Sequence, residues 1–243
     1  MEYTKNMQIN KGGLNSIHIG KERGSMRLIS KSDIEAIQIS NLLSKTNSRK
    51  TAYNRVLETW ENDNTNMDTA FLFSTFALAS VYEETIAPER HRYLSQAIDA
   101  LSICIKQQDD WWMARFLRSV ALQSILVSAD GMSLQNENDE DDCDILIKQQ
   151  KESTEKAPYF LCPYLMKAKS YIFQGYVDQG IALINKGLEN VELSAVKYPL
   201  NILLQPFGDN ITILRSIGRD DLAEPIKNVG CILFPSSSSL AAI

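Results

Sequence analysis

The chain has 243 residues, of which 44% are hydrophobic and 23% charged, and its formal net charge is −5. This composition is sufficient for a continuous apolar core and excludes disorder of the whole chain. No run of about 18 apolar residues occurs and residues 1–30 hold no apolar segment, so we expect neither a membrane span nor a signal peptide. Four widely spaced cysteines do not indicate a disulfide scaffold or a zinc ribbon, and we expect reduced thiols in a cytoplasmic protein.

The front of the chain is basic and the remainder acidic. Residues 1–55 contain ten Lys or Arg and four Asp or Glu, whereas the rest contains fifteen and 26. Residues 1–30 also carry four glycines between short β-prone pieces, which predicts a basic N-terminal arm that is irregular or forms a small β-ribbon. Nucleic acid is not the expected partner of this arm, because its charges are not interleaved with aromatic residues for base stacking.

Helical patterns begin after the arm. Ser32 and Glu35 form a capping-box pattern at the start of a first helix. A second apolar stripe over residues 52–60 keeps helical spacing and predicts the partner of the first helix in a hairpin. The segment Thr69–Glu84 is apolar on nearly every face, which predicts an interior helix covered on all sides.

Two further helices follow. Pro88 suits the first turn of a helix whose apolar face runs from Leu94 to Ile105. Asp109 and Asp110 favour the start of the next one, because acidic groups interact well with exposed helix N–H donors. Trp111 and Trp112 are adjacent and cannot share one helix face, so at least one of them is expected in the core.

An acidic insertion interrupts the helices at residues 130–144. Its carboxylates repel one another and should bury little surface, which predicts an exposed loop. The helix should resume near Ile145 and end before Pro158. The Ser-rich residues 236–243 predict a flexible tail, which leaves one helical domain at residues 31–235.

Two C-terminal stretches match each other at an offset of 43 residues. Such internal repetition is typical of units that cannot bury their apolar faces alone and stack on their neighbours. The matched pairs are Tyr164 with Phe207, Ala168 with Ile211, Tyr171 with Leu214, Gly175 with Gly218, Asp178 with Asp221, Gly180 with Ala223, Ile184 with Lys227 and Gly187 with Gly230.

The first of these stretches resembles the tetratricopeptide repeat (TPR). Tyr164-x-x-Lys167-Ala168-x-x-Tyr171, followed by Gly180-x-x-x-Ile184-x-x-Gly187, has the aromatic and small residues of that pattern. Lys167 and Asn210 depart from it, since the family prefers leucine there, and the offset exceeds the family's typical ~34 residues. The resemblance implies an all-α solenoid of stacked antiparallel helical hairpins.

Patterns for catalysis and metal binding are absent from the sequence. The two histidines, His18 and His91, are not part of a His-Glu-x-x-His pattern, and no phosphate-binding glycine loop is complete. The adjacent Glu83 and Glu84 point about 100° apart on a helix, which does not suit an acid and base pair. The sequence therefore predicts no catalytic residue, no metal site and no cofactor.

The resemblance also implies a binding groove, because the first helix of each TPR unit lines the concave surface of the stack. We predict a basic groove for an acidic peptide, although the family's carboxylate clamp is not reproduced at Gly208 and Thr212. The predicted groove residues are Leu165, Lys169 and Ile172 from one unit and Thr212 and Arg215 from the next, joined by Arg115 and Arg118 from an earlier helix.

Three functions remain open from the sequence. The leading hypothesis is a non-enzymatic adaptor, scaffold or chaperone-like module that binds a protein or peptide partner. The alternatives are an enzyme, or an accessory subunit of one, with a site built from dispersed polar residues, and a regulator whose basic arm contacts nucleic acid. A deep pocket with converging polar groups would favour the enzyme, and an open surface would favour the adaptor.

Overall fold

The computed structural model describes residues 31–44, 49–81, 84–128, 141–152, 161–189 and 203–234. Within these ranges the chain forms ten α-helices and no β-strand, which confirms the all-α prediction. The predicted arm, the predicted tail and residues 130–140 of the predicted insertion lie outside the described residues. The helices are α1 (Lys31–Ser44), α2 (Arg49–Asn62), α3 (Met67–Val81), α4 (Ala87–Gln107), α5 (Trp112–Ser128), α6 (Asp142–Glu152), α7 (Leu161–Phe173), α8 (Val177–Glu189), α9 (Gln205–Ser216) and α10 (Asp220–Leu233).

α3 is the predicted interior helix. Every residue from Phe73 to Val81 is buried, because α1, α2 and α4 all pack against it. Aromatic stacking joins it to its neighbours: the Phe73 ring lies 4.6 Å from that of Trp60 in α2, and the Phe71 ring lies 4.6 Å from that of Trp111. A helix that is apolar on its whole circumference is thus covered on all sides, as the sequence predicts.

The turn between α4 and α5 contains Asp109 and Asp110, which the sequence predicts at a helix start. α5 begins instead at Trp112, so the two aspartates precede the helix. Trp112 is fully buried, while Trp111 is partly buried and donates its indole N–H to Asp33 of α1 at 3.1 Å. One tryptophan therefore belongs to the core, and the other binds a neighbouring helix.

α6 corrects part of the predicted acidic loop. It begins at Asp142 rather than near Ile145. The Asp141 carboxylate accepts the N–H of Cys143 at 3.1 Å, which satisfies one of the donors that a helix start leaves exposed. Asp142 itself is buried, at 6% exposure, because basic residues of α5 bind it. The last part of the acidic run is therefore packed helix and not a solvated loop.

The hairpins α7–α8 and α9–α10 repeat each other. Their first helices end at Phe173 and Ser216, and their second helices begin at Val177 and Asp220, so both boundaries are 43 residues apart. Each turn contains a glycine with a positive φ, 87° in the first turn and 73° in the second. The residue after each glycine donates its N–H to the carbonyl five positions earlier, at 2.9 Å and 2.8 Å. The sequence match is thus also a match of helix boundaries and turn geometry.

Within the first of these hairpins, two glycines let α8 approach α7 closely. A Cβ atom at Gly180 would lie 2.6 Å from Ile172 Cγ1 and 2.9 Å from the Ala168 carbonyl oxygen. One at Gly187 would lie 2.7 Å from Leu161 Cδ1. Only a residue without a side chain fits at either position without displacing α7.

Packing continues beyond the hairpins. α7 packs against α5 and α9, and α8 packs against α10. α7 and α9 run parallel, because Cys162 Sγ contacts the Leu203 carbonyl and the later Leu165 carbonyl contacts the later Asn210. One hydrophobic cluster extends from Ala36 in α1 to the residue after α10. None of the helices in the described ranges combines the length and apolar character that a membrane span requires.

Candidate functional site

A small depression crosses the molecule where α5, α7 and α9 meet. Its floor is apolar, since Val120, Met166 and Pro206 are all buried. Partly buried polar side chains surround this floor. The three-helix surface, as we name it, is lined by Val120, Gln123 and Ser124 of α5, Met166 and Lys169 of α7, and Gln205, Pro206 and Asp209 of α9.

Polar contacts hold the three helices together at this surface. Gln123 donates its side-chain amide to the Met166 carbonyl at 2.9 Å and to the Ser170 hydroxyl at 3.3 Å, which joins α5 to α7. Lys169 Nζ donates to Asp209 Oδ2 at 2.6 Å, which joins α7 to α9. The surface is therefore built from side chains that are positioned before any ligand binds.

The size of the depression limits what it can do. It has room for about one water molecule. Pockets that enclose an organic ligand are typically ~300 Å³ or larger. The depression is consequently too small to enclose a small organic substrate.

The predicted groove residues of α7 do not all reach this surface. Lys169 lines it, but Leu165 is fully buried and Ile172 is only 9% exposed. Ile172 packs against α8, where Gly180 leaves space for it. Two of the three predicted groove residues of α7 are therefore buried, whereas Lys169 lines the surface together with the buried Met166.

The predicted groove residues of α9 are exposed to different degrees. Thr212 is exposed, and its hydroxyl donates to the Gly208 carbonyl of the preceding turn at 2.9 Å. Arg215 binds two acidic residues of α10, with Glu224 Oε1 at 2.5 Å and Asp220 Oδ1 at 3.5 Å. Its charge is thus directed to the second helix of its own hairpin.

Arg115 and Arg118 belong to a buried ionic cluster with Asp142 of α6. Arg118 Nε and Nη2 each lie 2.7 Å from a different oxygen of Asp142, which is the bidentate geometry, and Arg115 Nη1 lies 3.0 Å from the same carboxylate. Arg115 also binds the carboxylate of Asp109, and Arg118 donates to the Ser102 hydroxyl at 3.1 Å. Arg115 is 5% exposed, so it joins α5 to α6 instead of lining a groove.

These contacts correct the predicted charge of the groove. Each of the four basic groove residues is bound by at least one carboxylate of the same chain. A paired cation attracts a second anion weakly, because its partner already offsets its field. The surface is therefore mixed in charge and not basic.

A further ionic contact joins α6 to α7. Lys167 binds the carboxylate of Asp144, and its ammonium lies 5.7 Å from the centre of the Tyr171 ring. Burial lowers the pKa of Lys167, but the contact with Asp144 and the neighbouring Tyr171 and Asp141 together outweigh burial, so the pKa is raised overall. Burial raises the pKa of Asp141 despite its bond to the Cys143 N–H.

Three of the four cysteines are buried in the described residues. Burial raises the pKa of Cys104 to about 12 and raises those of Cys143 and Cys162 as well. Thiols in this state remain protonated at neutral pH and are poor nucleophiles. His91 is exposed in the first part of α4, and His18 lies outside the described residues. The described part of the chain has no group of three His, Cys, Asp or Glu that could hold a metal ion.

The sequence contained a usable signal for the residues that were missed. Met166 and Asp209 are separated by 43 residues and so occupy equivalent positions in the two hairpins. Both line the three-helix surface, but the signal is partial, because Lys169 lines it and its equivalent Thr212 does not. Gln123 carries no such signal, because its role depends on the Met166 carbonyl of another helix.

Comparisons with known proteins give no relative from which a function could be transferred. No protein-family model matches the chain, and no curated protein or solved structure matches it significantly.

Proposed function

We propose that this protein is a TPR-like stack of helical hairpins that acts as an adaptor or scaffold and binds an extended segment of a partner protein on the three-helix surface. One observation carries the proposal: the surface lies across α5 and the first helices of both repeated hairpins, and it combines buried apolar residues with partly buried polar ones. Extended peptides suit such a surface, because it offers contacts for their side chains and for their backbone.

The stack itself is supported by the way the hairpins meet. α7–α8 and α9–α10 share helix boundaries and turn geometry at the same offset. Their first helices pack against each other and run parallel, and their second helices also pack against each other. Translation of one hairpin onto the next, with first helices adjacent, is the arrangement of helical repeat proteins.

The rim of the surface favours a polypeptide over a ligand with a single charge. Lys169 supplies donors and Asp209 supplies acceptors, and the two are already paired with each other. A peptide backbone presents donors and acceptors in alternation, so it can use both sides of the pair. Phosphates or carboxylates would gain little here, because the cation is offset by its own carboxylate.

A blocking substitution tests the proposal. The Ser124 hydroxyl bonds only within its own helix, to the Val120 carbonyl at 2.8 Å, so Ser124→Arg adds bulk to the depression without removing a contact between helices. Thr59→Arg in α2 is the matched control, because Thr59 makes the same kind of bond, to the Arg55 carbonyl, at a site away from the surface.

The ligand is obtained by selection of peptides from a random library on the wild-type protein, and affinities are measured by fluorescence anisotropy. Ser124→Arg should weaken the selected peptides at least about tenfold, whereas Thr59→Arg should leave their affinity unchanged. Hydrogen exchange with bound peptide should show protection in α5, α7 and α9. Protection confined to other helices, or equal affinity of the two variants, would contradict the proposal.

A further inference from the structure

Three large apolar side chains are exposed at the end of the molecule where the turns of the two repeated hairpins lie. Phe173 is 65% exposed, Tyr176 54% and Ile217 40%. Phe173 ends α7, Tyr176 lies in the turn before α8, and Ile217 lies in the turn after α9. These three residues form what we name the turn edge.

The turns of the two hairpins are neighbours in space. Because α7 and α9 run parallel and pack against each other, their C-terminal ends lie on the same side of the molecule. The charges around the turns also interact: the pKa of Arg219 is raised mainly by its hydrogen bonds to Asp221 and in part by the charge of Asp178 at the start of α8. Phe173 and Ile217 therefore belong to adjacent turns of one edge.

The aromatic residues of the turn edge are held in place by neighbouring side chains. The ring centre of Phe173 lies 5.9 Å from the ammonium of Lys169, and the ring of Tyr176 packs edge-on against Tyr171 at 6.4 Å. Positioned aromatic residues contribute strongly to protein interfaces, since little conformational entropy is lost when they are covered. The turn edge thus has the anchors of an interface.

The charges around the turn edge determine what can cover it. Four acidic residues and two basic residues lie in the two turns or in the helix ends that border them, and the two basic residues are paired with three of the acids. With four negative and two positive charges, these six residues carry a net charge of −2, and a partner with basic residues beside its apolar contacts would match it. The rim consists of Asp178, Asp220, Asp221, Glu224, Arg215 and Arg219.

The same charges argue against a second copy of this chain. A symmetric dimer through the turn edge would place each acidic rim against the other, and the chain as a whole carries a net charge of −5. Anionic lipid surfaces and nucleic acids would meet the same repulsion.

We propose that the turn edge, which adjoins the three-helix surface at Lys169, is a second docking surface for a basic amphipathic helix of a partner protein. Packed helices lie about 8–10 Å apart, which sets the spacing of adjacent turns. Two turns of a helix rise about 11 Å, so apolar residues two turns apart on the partner can contact Phe173 and Ile217 together. Basic residues flanking that stripe then face the acidic rim.

The test uses labelled model peptides of about 18 residues, long enough to form a helix, with the full-length protein. The first has an amphipathic pattern of Leu and Lys, the second replaces every Lys by Glu, and the third replaces every Leu by Ser. We expect the Leu and Lys peptide to bind, and the other two to bind at least about tenfold more weakly, in a fluorescence anisotropy titration.

Variants then locate the binding. Phe173→Ser and Ile217→Ser should each weaken the Leu and Lys peptide about tenfold, because each removes an exposed anchor without changing a charge. Ile86→Ser is the matched control, since Ile86 is 57% exposed but lies before α4. The control and the Ser124→Arg variant should both bind as the wild type does, which separates this surface from the three-helix surface.

Several outcomes would overturn the proposal. If the Glu peptide bound as tightly as the Leu and Lys peptide, the acidic rim would not select a basic partner. If the Ser peptide bound as tightly, the interaction would depend on net charge and not on the exposed apolar side chains. Loss of binding in Ile86→Ser to the same extent would show that the turn edge is not the site. Self-association of the wild type that Phe173→Ser abolishes, measured by sedimentation equilibrium, would identify a second copy as the occupant.

Discussion

Replacement of Asp142 by alanine tests the buried ionic cluster directly. The side chain of Asp142 is 4% exposed and that of Arg115 is 6% exposed, so neither group can exchange its partner for bulk water. Asp142→Ala leaves two guanidinium groups facing a space from which the carboxylate has been removed. We therefore expect a loss of stability well above that of an ordinary surface substitution.

The expected size of the loss follows from the contacts. Removal of one partner of a buried ion pair typically costs about 3–5 kcal/mol, because the remaining charge is uncompensated. Arg115 keeps its contact with Asp109, and Arg118 keeps its bond to Ser102 and is 23% exposed in its side chain, so both can be partly satisfied. We expect about 3 kcal/mol, which corresponds to a fall in melting temperature of about 6–12 °C for a chain of this size.

Urea unfolding followed by tryptophan fluorescence measures the change, provided that the slope of the transition is unaltered. Glu89→Ala is the matched control, since Glu89 pairs with Arg92 of the same helix but both side chains are more than 40% exposed. That control should cost less than about 1 kcal/mol. Asp142→Asn retains the shape but not the charge and should also be destabilised. If Asp142→Ala cost no more than Glu89→Ala, the cluster would not hold α6 in place.

Three further predictions concern single side chains. Gly180→Ala should destabilise the protein in urea unfolding by about 1–2 kcal/mol, since overpacking against Ile172 outweighs the helix preference of alanine; stabilisation would refute the close approach. Of the four cysteines, only Cys231 is not buried, so mass spectrometry should find one maleimide on the folded protein and four in urea, and a second label on the folded protein would contradict the burial of the others. Burial raises the pKa of Asp141, so the folded protein binds this proton more tightly than the unfolded chain does. Protonated Asp141 therefore contributes stability at low pH, and this contribution is lost as the pH rises through the pKa of the folded state. Asp141→Asn can still accept the helix N–H and should be more stable than the wild type at pH 7, with a gain that fades at pH below about 4; a gain independent of pH would exclude this cause.

Local sequence patterns predicted the helices well where the residues in the pattern themselves determine the structure. The apolar circumference of residues 69–84 required neighbours on every side, and α3 has them. Gly175 and Gly218, one of the matched pairs of the repeat, lie in the two turns, where only a residue without Cβ adopts positive φ easily. Pro88 marked the first turn of α4 because its missing N–H is not needed there.

The predictions that were wrong concerned residues whose environment is set by distant parts of the chain. Asp142 looked like one more carboxylate of a solvated run, but two guanidinium groups more than 20 residues away bind it. Leu165 was assigned to a groove from the family pattern, but the approach of α8 decides which face of α7 is buried. The burial of Asp142 and of Leu165 cannot be derived from the spacing of nearby residues. Each depends on a helix that is distant in the sequence, which local spacing does not identify.

The departures from the TPR pattern have a structural role. Lys167 and Asn210 occupy equivalent positions 43 residues apart, and each contacts the unit that precedes its own hairpin. Lys167 binds Asp144 of α6, whereas Asn210 is fully buried and donates its amide to the Leu165 carbonyl of α7 at 3.0 Å.

The two residues are not interchangeable. The side-chain amide of Asn210 donates to two backbone carbonyls, those of Leu165 and Pro206. Lysine at this position would place a charge beside these carbonyls, and burial of an uncompensated ammonium is strongly unfavourable. Asparagine at position 167 would lack the reach of the lysine side chain toward Asp144. The two positions that depart from the repeat pattern therefore each join their own hairpin to the helix that precedes it.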